Sequence, residues 1–409
     1  MKLEIAREKL LADLEHLAQI GRNPDGGITR KALSREDAEA RRYVADRLRQ
    51  AGLDVRHDEV GNLRAIRRGR REGAPSVMTG SHLDSVPSGG KLDGPLGVVG
   101  AVAAIEALNQ AGVETELPIE VAVFVGEEGS RFPRGTIGSA AMSGHVAVDA
   151  ILALRDPDGI VYRDALATYG DTGAAIPAPA KGRVAAFVEL HVEQGGVLEA
   201  EGTPIGVVTA IAGLVQHQLS FIGDANHAGA TPMTLRHDAL CAAAEWLLGI
   251  ERAARELGVV GTVGKLEVAP GGKNIIPGRV DAICDLRAPT RELLAQLDER
   301  VRPLQDAAAR SRGVTVEWRH LQRVEPGPMH ERAMLAVEHA ARACSLASRR
   351  MLSGAIHDAL HMAEICDATM IFVPSIGGKS HCPTEDTAPH HLTQGCQVLA
   401  HTLATLASA

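Results

Sequence analysis

Ile119-Glu-Val-Ala-Val-Phe-Val-Gly-Glu-Glu-Gly129 is the stretch from which the fold of this chain can be read. Its β-branched, apolar first half is too short for a helix and fits a strand buried in the middle of a sheet. Two adjacent acids, Glu127 and Glu128, close the strand. Carboxylates there are costly unless something cationic meets them. In an open α/β sheet the carboxyl edge is where ligands sit. Neighbouring side chains at a strand end point in different directions. The two acids are therefore expected to divide two jobs, one binding metal and the other moving a proton.

Working outward, the same texture recurs. Ser76-Val-Met-Thr-Gly80 runs into Ser81-His-Leu-Asp84, and a Gly-rich loop, Ser88-Gly-Gly-Lys-Leu-Asp-Gly94, precedes a helix that opens on Pro95. Ala185-Ala-Phe-Val-Glu-Leu190 delivers His191, and Met370-Ile-Phe-Val373 leads to Ser375-Ile-Gly-Gly-Lys-Ser-His381. This strand–loop–helix–strand order predicts an α/β fold with a mainly parallel, doubly wound sheet. Helices are expected over 3–20, 36–51, 330–345 and 388–407, with Ser34 as an N-cap and Gly52 as a stop. A hairpin is expected within 53–67, around Gly61-Asn62. Residues 150–183, rich in Ala, Asp, Gly and Pro, allow little assignment.

After Gly206 the pattern changes. Period-two alternation at 213–223, helices near 234–257 and 290–311, and strands near 259–268, 278–288 and 314–321 describe an α+β unit with antiparallel signals. The expected organisation is a catalytic domain, 1–207 and 326–409, interrupted by a domain at 208–325. Two domains also suit a chain of 409 residues.

Composition narrows the function classes. Hydrophobic residues make up 45%, but no apolar run approaches membrane-spanning length. The N-terminal stretch carries acids and does not read as a signal peptide. Six cysteines without C-x-x-C spacing fit reduced thiols in the cytoplasm. A net charge of −8 and an aromatic content of 2% argue against a nucleic-acid partner.

Five potential ligands fall at or just beyond strand ends: His82, Asp93, Glu128, His191 and His381. Imidazole and carboxylate together suit zinc, manganese, cobalt or nickel. Asp93 could bridge two ions about 3.5 Å apart, as two-metal hydrolases require. Asp84 could accept the far ring N–H of His82 and fix its tautomer. Taken singly, each has an ordinary reading: a solvated strand-end His, an Asp-Gly turn, a surface acid pair. Their co-occurrence at one sheet edge is what favours metal.

Five motifs, Gly80–Gly94, Gly126-Glu-Glu-Gly-Ser-Arg-Phe132, Glu189-Leu-His-Val-Glu-Gln-Gly195, Asn226-His-Ala-Gly-Ala-Thr-Pro-Met233 and Ser380-His-Cys-Pro-Thr-Glu385, lie in order along the chain. Together they resemble the two-metal aminoacylase/carboxypeptidase superfamily. Within it, the resemblance is to the branch of N-carbamoyl-L-amino-acid hydrolases, allantoate amidohydrolases and β-ureidopropionases. It runs from about residue 3 to 407. It implies a homodimer in which the inserted domain acts as lid and dimerisation domain. It implies His82, Asp93 and His191 around one divalent ion, Asp93, Glu128 and His381 around another, Glu127 as general base, and a cis peptide after Asp93. For a ureido substrate with a carboxylate it implies Gln194, Asn274 and Arg287 as binding residues, with the lid's His227 reaching the partner's active site. His357 lies in a further motif, which departs from the family pattern at Ile356. His217 is expected to be only a residue of a lid strand.

The activity so implied is hydrolysis of the ureido C–N bond of N-carbamoyl-L-amino acids, with zinc the first choice of metal. Allantoate amidohydrolase, which Arg131-Phe-Pro133 mildly resembles, and β-ureidopropionase are the alternatives. A peptidase or aminoacylase fits less well with Gln194, Asn274 and Arg287. A non-catalytic metal-binding protein would be expected to have a broken ligand set.

Overall fold

In the computed structural model, which describes residues 3–170, 176, 179 and 182–408, Ile119–Phe124 is an interior strand buried along its whole length. The acid inside it, Glu120, is tolerated because Arg64 donates to it at 2.5 Å and the Ser76 hydroxyl at 3.1 Å. The chain divides into two compact units, Met1–Thr209 with Met329–Ala409, and Ala210–Pro328.

In chain order the first strands are β1 (Asp54–His57), β2 (Leu63–Arg67), β3 (Ser76–His82), β4 (Ile119–Phe124), β5 (Val184–Val192) and β6 (Ile205–Ile211). The second unit adds β7 (Gly213–Ile222), β8 (Val260–Ala269), β9 (Arg279–Ala288), β10 (Thr315–Val324) and the short β11 (Gly327–Pro328). β12 (Ser348–Ser353) and β13 (Asp367–Val373) complete the set among the described residues.

The larger sheet runs β1-β2-β4-β3-β5-β13-β6-β11, with β12 also on β6. The four central strands, β4, β3, β5 and β13, are mutually parallel. β1, β2 and β6 join antiparallel at the flanks. The helix Pro95–Gln110 is buried on nearly all sides, as a helix apolar all round must be. Gly97 lets it approach the sheet: a Cβ there would stand 2.5 Å from the Leu190 carbonyl oxygen. Ser34 caps the helix Arg35–Gln50 by accepting the Asp37 N–H at 3.2 Å.

The second unit is a four-stranded antiparallel sheet, β10-β7-β9-β8. Helices Ala239–Leu257 and Arg291–Arg312 share with it a core built on Trp246, Phe221, Leu286 and Leu297. Asp238 and Thr290 cap these helices, and Gly258 and Gly313, in left-handed conformation, end them.

Three strands, β6, β11 and β12, went unassigned from sequence: β11 is two residues long and β12 is largely half-exposed, whereas β6 is buried almost throughout and was lost beside the change of texture at Gly206. Within 150–183 short helices stand at Val148–Leu152 and Tyr162–Tyr169, and part of that stretch lies outside the described residues. The expected cis peptide after Asp93 is not found. Gly94, at φ +82°, turns the chain there, and the cis peptide among the described residues is Ala269-Pro270. No helix among the described residues is long and apolar enough to cross a membrane.

Candidate metal centre

Because β3, β4, β5 and β13 are parallel, their carboxyl ends share one edge, and all five expected ligands gather there. His82 is the last residue of β3 and His191 the last but one of β5. Glu128 follows β4, Asp93 stands just before the helix at Pro95, and His381 lies in the loop after β13.

Asp93 is the centre of the arrangement. Its Oδ1 lies 3.5 Å from His82 Nε2 and 3.1 Å from His191 Nε2. Its Oδ2 lies 3.3 Å from His381 Nε2, which in turn is 3.6 Å from Glu128 Oε2. Two ligands each about 2.0–2.1 Å from one zinc stand about 3–3.5 Å apart, so these spacings fit cation ligation with little movement. The ligating atoms of His82, Asp93 and His191 lie within 4.8 Å of one another, as do those of Asp93, Glu128 and His381.

The imidazole tautomers agree with this use. His82 Nδ1 is 3.0 Å from the Asp84 carbonyl oxygen and His191 Nδ1 is 2.9 Å from that of Val192. Carbonyl oxygens only accept, so each ring carries its proton on Nδ1 and turns the Nε2 lone pair inward. The Gly94 N–H donates to His191 Nε2 at 3.3 Å, which requires that lone pair.

Asp84 does not do what its spacing from His82 predicts. β3 ends at His82, so the chain turns, and the backbone carbonyl of Asp84 takes the ring N–H. The carboxylate instead accepts three backbone N–H groups, those of Gly126, Glu127 and Glu128, each at 3.1 Å. Asp84 thus holds the loop that presents both glutamates.

Their electrostatics show the strain of acids gathered at short range. Burial, with Glu128, Asp358 and Asp84 adding to it, holds the Glu127 carboxyl well above the usual range, against the pull of His82. Burial and then Asp93 raise Glu128 to about 7. Burial also works against Asp93, yet the three imidazoles outweigh it and keep that carboxyl well below its ordinary value. A cation would relieve the first two. Glu127 Oε2 stands 3.8 Å from His82 Nε2, and Glu127 also offers a ligand atom within 4.8 Å of those of His82 and Glu128.

Gln194, in left-handed conformation at φ +60°, donates from Nε2 to Asp93 Oδ2 at 2.7 Å. It touches the Asp93 carboxylate rather than standing apart as a free substrate donor. His357 is buried; its Nε2 meets the Ser353 hydroxyl at 3.0 Å and its ring packs edge-on to His191, 4.5 Å between centroids.

Two positioning residues escaped sequence reasoning. Glu385 accepts from the Leu92 and Asp93 N–H groups, both at 3.0 Å, and from the Ser380 hydroxyl at 2.6 Å. The Ser380 oxygen also lies 3.0 Å from Asp93 Oδ2, so this pair ties the Asp93 loop to the His381 loop. Nothing in the spacing of Glu385 reveals that. Glu189 was legible as an acid inside an apolar strand. It is fully buried, accepts from the Ser81 hydroxyl at 2.7 Å and the Ala359 N–H at 3.0 Å, and so fastens β5 to β3 and to the segment after Asp358.

His227, Asn274 and Arg287 belong to the second unit, and so does His217. His227 is exposed, and its Nδ1 accepts the N–H groups of Gly229 at 3.0 Å and Ala230 at 3.1 Å. Its proton therefore sits on Nε2, leaving that nitrogen a donor. The Asn274 carbonyl accepts from the Ala228 N–H at 2.9 Å, which holds the two motifs side by side. Arg287 sits on β9 with its Nε–Nη2 edge on Asp285, at 2.7 and 3.1 Å. His217 is a buried strand residue whose Nε2 pairs with Asp298 at 2.7 Å.

The chain is 42% identical over 406 residues to an N-carbamoyl-L-amino acid amidohydrolase of Geobacillus stearothermophilus, covering 98% of this chain and 99% of that one. It is 35% identical to an allantoate amidohydrolase of Bacillus subtilis, over 96% of each. The crystal structure of an amidase of the hydantoinase/carbamoylase family from Burkholderia multivorans superposes with a TM-score of 0.95 at 36% identity, covering 100% of this chain and 99% of that one. Residues 78–405 match the peptidase family M20/M25/M40, and the chain belongs to that family.

Proposed function

We propose that this protein is a binuclear metal-dependent amidohydrolase that cleaves N-carbamoyl-L-amino acids to the amino acid, carbon dioxide and ammonia. The observation that carries the metal chemistry is the Asp93 carboxylate, whose two oxygens face two separate groups of ligands. His82 and His191 with Oδ1 would hold one divalent ion, and His381 and Glu128 with Oδ2 the other. The substrate class rests on the relatives, above all the one that is 42% identical. Zinc is the first choice for imidazole and carboxylate ligands.

When bound, such a cation pair polarises a carbonyl and lowers the pKa of water to about 7. Glu127 accepts the proton of the attacking water and returns it to the leaving nitrogen. Asp84 keeps Glu127 in place through the backbone. His227 of the partner subunit, a donor at Nε2, stabilises the developing oxyanion; one such donor is worth about 2.7–4 kcal/mol. Gln194 orients the ureido group beside Asp93, while Asn274 and Arg287 take the substrate carboxylate. His357, packed edge-on to His191, is kept neutral by burial, which holds its pKa well below normal. The protein works as a homodimer joined through the second unit, in the cytoplasm, where its six free thiols would stay reduced.

Allantoate is the second reading, favoured by the Bacillus subtilis relative. The Arg131-Phe-Pro133 motif lends it little. Arg131 is committed to Asp156 at 3.0 Å and to the Ala32 and Leu33 carbonyls.

The deciding experiment is ammonia release from N-carbamoyl-L-methionine, N-carbamoyl-β-alanine, allantoate and an N-acetyl amino acid, each before and after chelation and metal add-back. The carbamoyl-L-amino acid is expected to be turned over fastest, with activity lost on chelation and regained with zinc, manganese or cobalt. Faster turnover of allantoate would replace the proposal with the second reading.

A further inference from the structure

Apart from the cluster around Asp93, the first unit brings together His145, His361 and Glu364. His145 follows the short helix Ile137–Met142, and His361 and Glu364 belong to the segment that opens with the helix Ala359–Met362. Both imidazoles turn Nδ1 to one carboxylate: His145 Nδ1 lies 3.0 Å from Glu364 Oε1 and 3.2 Å from Oε2, and His361 Nδ1 lies 3.2 Å from Oε1. The ring centroids are 4.5 Å apart. One ligand atom from each residue falls within 4.8 Å of the other two.

We propose that His145, His361 and Glu364 form a further divalent-cation site, of the zinc type, outside the centre built on Asp93. Three protein ligands with an open position toward solvent are the arrangement zinc accepts when water completes its shell. The nitrogen-to-oxygen spacings match the separation of about 3–3.5 Å between ligands of one zinc. His361 is prepared for this role at its other nitrogen. Its Nε2 is 3.0 Å from the Thr136 hydroxyl, whose oxygen can accept the ring proton. A cation that takes the place of the proton Nδ1 now shares with Glu364 leaves the ring proton on Nε2, and that proton makes the outer hydrogen bond zinc-binding histidines usually have. His361 is buried and fixed, whereas His145 and Glu364 are half exposed, so a cation can enter from solvent. Thr136 also donates its backbone N–H to the Glu127 carbonyl at 2.8 Å, which sets the site one residue from the loop carrying that glutamate.

The test counts zinc on the full-length protein. Wild type, His145→Ala and Glu364→Gln are dialysed to equilibrium against buffered zinc, and the bound metal is measured. Circular dichroism checks the fold, which substitution of two half-exposed side chains should leave intact. The expected result is one equivalent fewer in each variant than in wild type. Any other count in either variant, above all an equal one, overturns the proposal and leaves a hydrogen-bonded His–Glu–His cluster only. The count does not depend on any reaction, so its failure is separable from failure of the amidohydrolase reading.

Discussion

Two adjacent glutamates meet different surroundings. Glu128 Oε2 faces His381, and its Oε1 is within reach of the Val86 N–H at 3.3 Å. Glu127 has His82 beside it at 3.8 Å. Substitution of Glu127 by Gln is expected to leave metal content and fold unchanged while kcat falls by about 10²-fold or more, the usual scale for a lost general base. Loss of metal instead would mean that the two acids have exchanged roles. Arg287→Ala is expected to raise KM for carboxylate substrates more than tenfold with metal content unchanged, since a planar guanidinium suits that group. An unmoved KM would remove Arg287 from the substrate site. The adjacency of the acids was plain in the sequence, and so was the need for a cation. What Asp84 does was not, because it depends on where β3 stops.

Turns and packed pairs decide the fate of whole elements. Gly94 has φ +82°, and a Cβ there would lie 2.6 Å from His82 ring atoms. Gly94→Ala therefore adds a left-handed cost of about 1–2 kcal/mol to a clash with a ligand. The variant should bind metal more weakly and melt earlier, which metal titration and calorimetry would show. In the second unit, burial raises the Asp298 carboxyl, but the hydrogen bond and charge of His217, with Arg302, prevail and hold it below its ordinary 3.8. A depressed carboxyl stabilises the fold above its unfolded pKa and loses that contribution as pH falls through the folded value. Asp298→Ala should cost about 1.5–3 kcal/mol at neutral pH, the worth of a hydrogen bond to a charged group. Its deficit should shrink on acidification below pH 3.8. A deficit that does not change with pH would show that the loss is one of packing.

At the scale of the whole chain, the five candidate ligands all lie in the unit formed by the two ends of the sequence. Cation binding should therefore stabilise that unit alone. At a free metal concentration a hundredfold above Kd the gain is about 2.7 kcal/mol per site. Calorimetry with and without chelator is expected to move the transition of the first unit and leave that of Ala210–Pro328 in place. A shift of both would mean that the two units unfold as one.

The alternation and length of the apolar runs, set by periods of 2 and 3.6, were enough to determine the α/β class, the parallel centre of the sheet and the separate α+β texture after Gly206. They also placed His82, Glu128 and His191 at or next to strand ends, because a buried run has to stop where charge begins. The strand β12, partly exposed along most of its length, left no comparable trace. Only the tertiary structure decided which oxygen of Asp93 faces which histidine and that Glu385 ties two loops separated by almost three hundred residues. Those are contacts between segments remote in the chain, and a local pattern of polarity carries no record of the partner that folding brings.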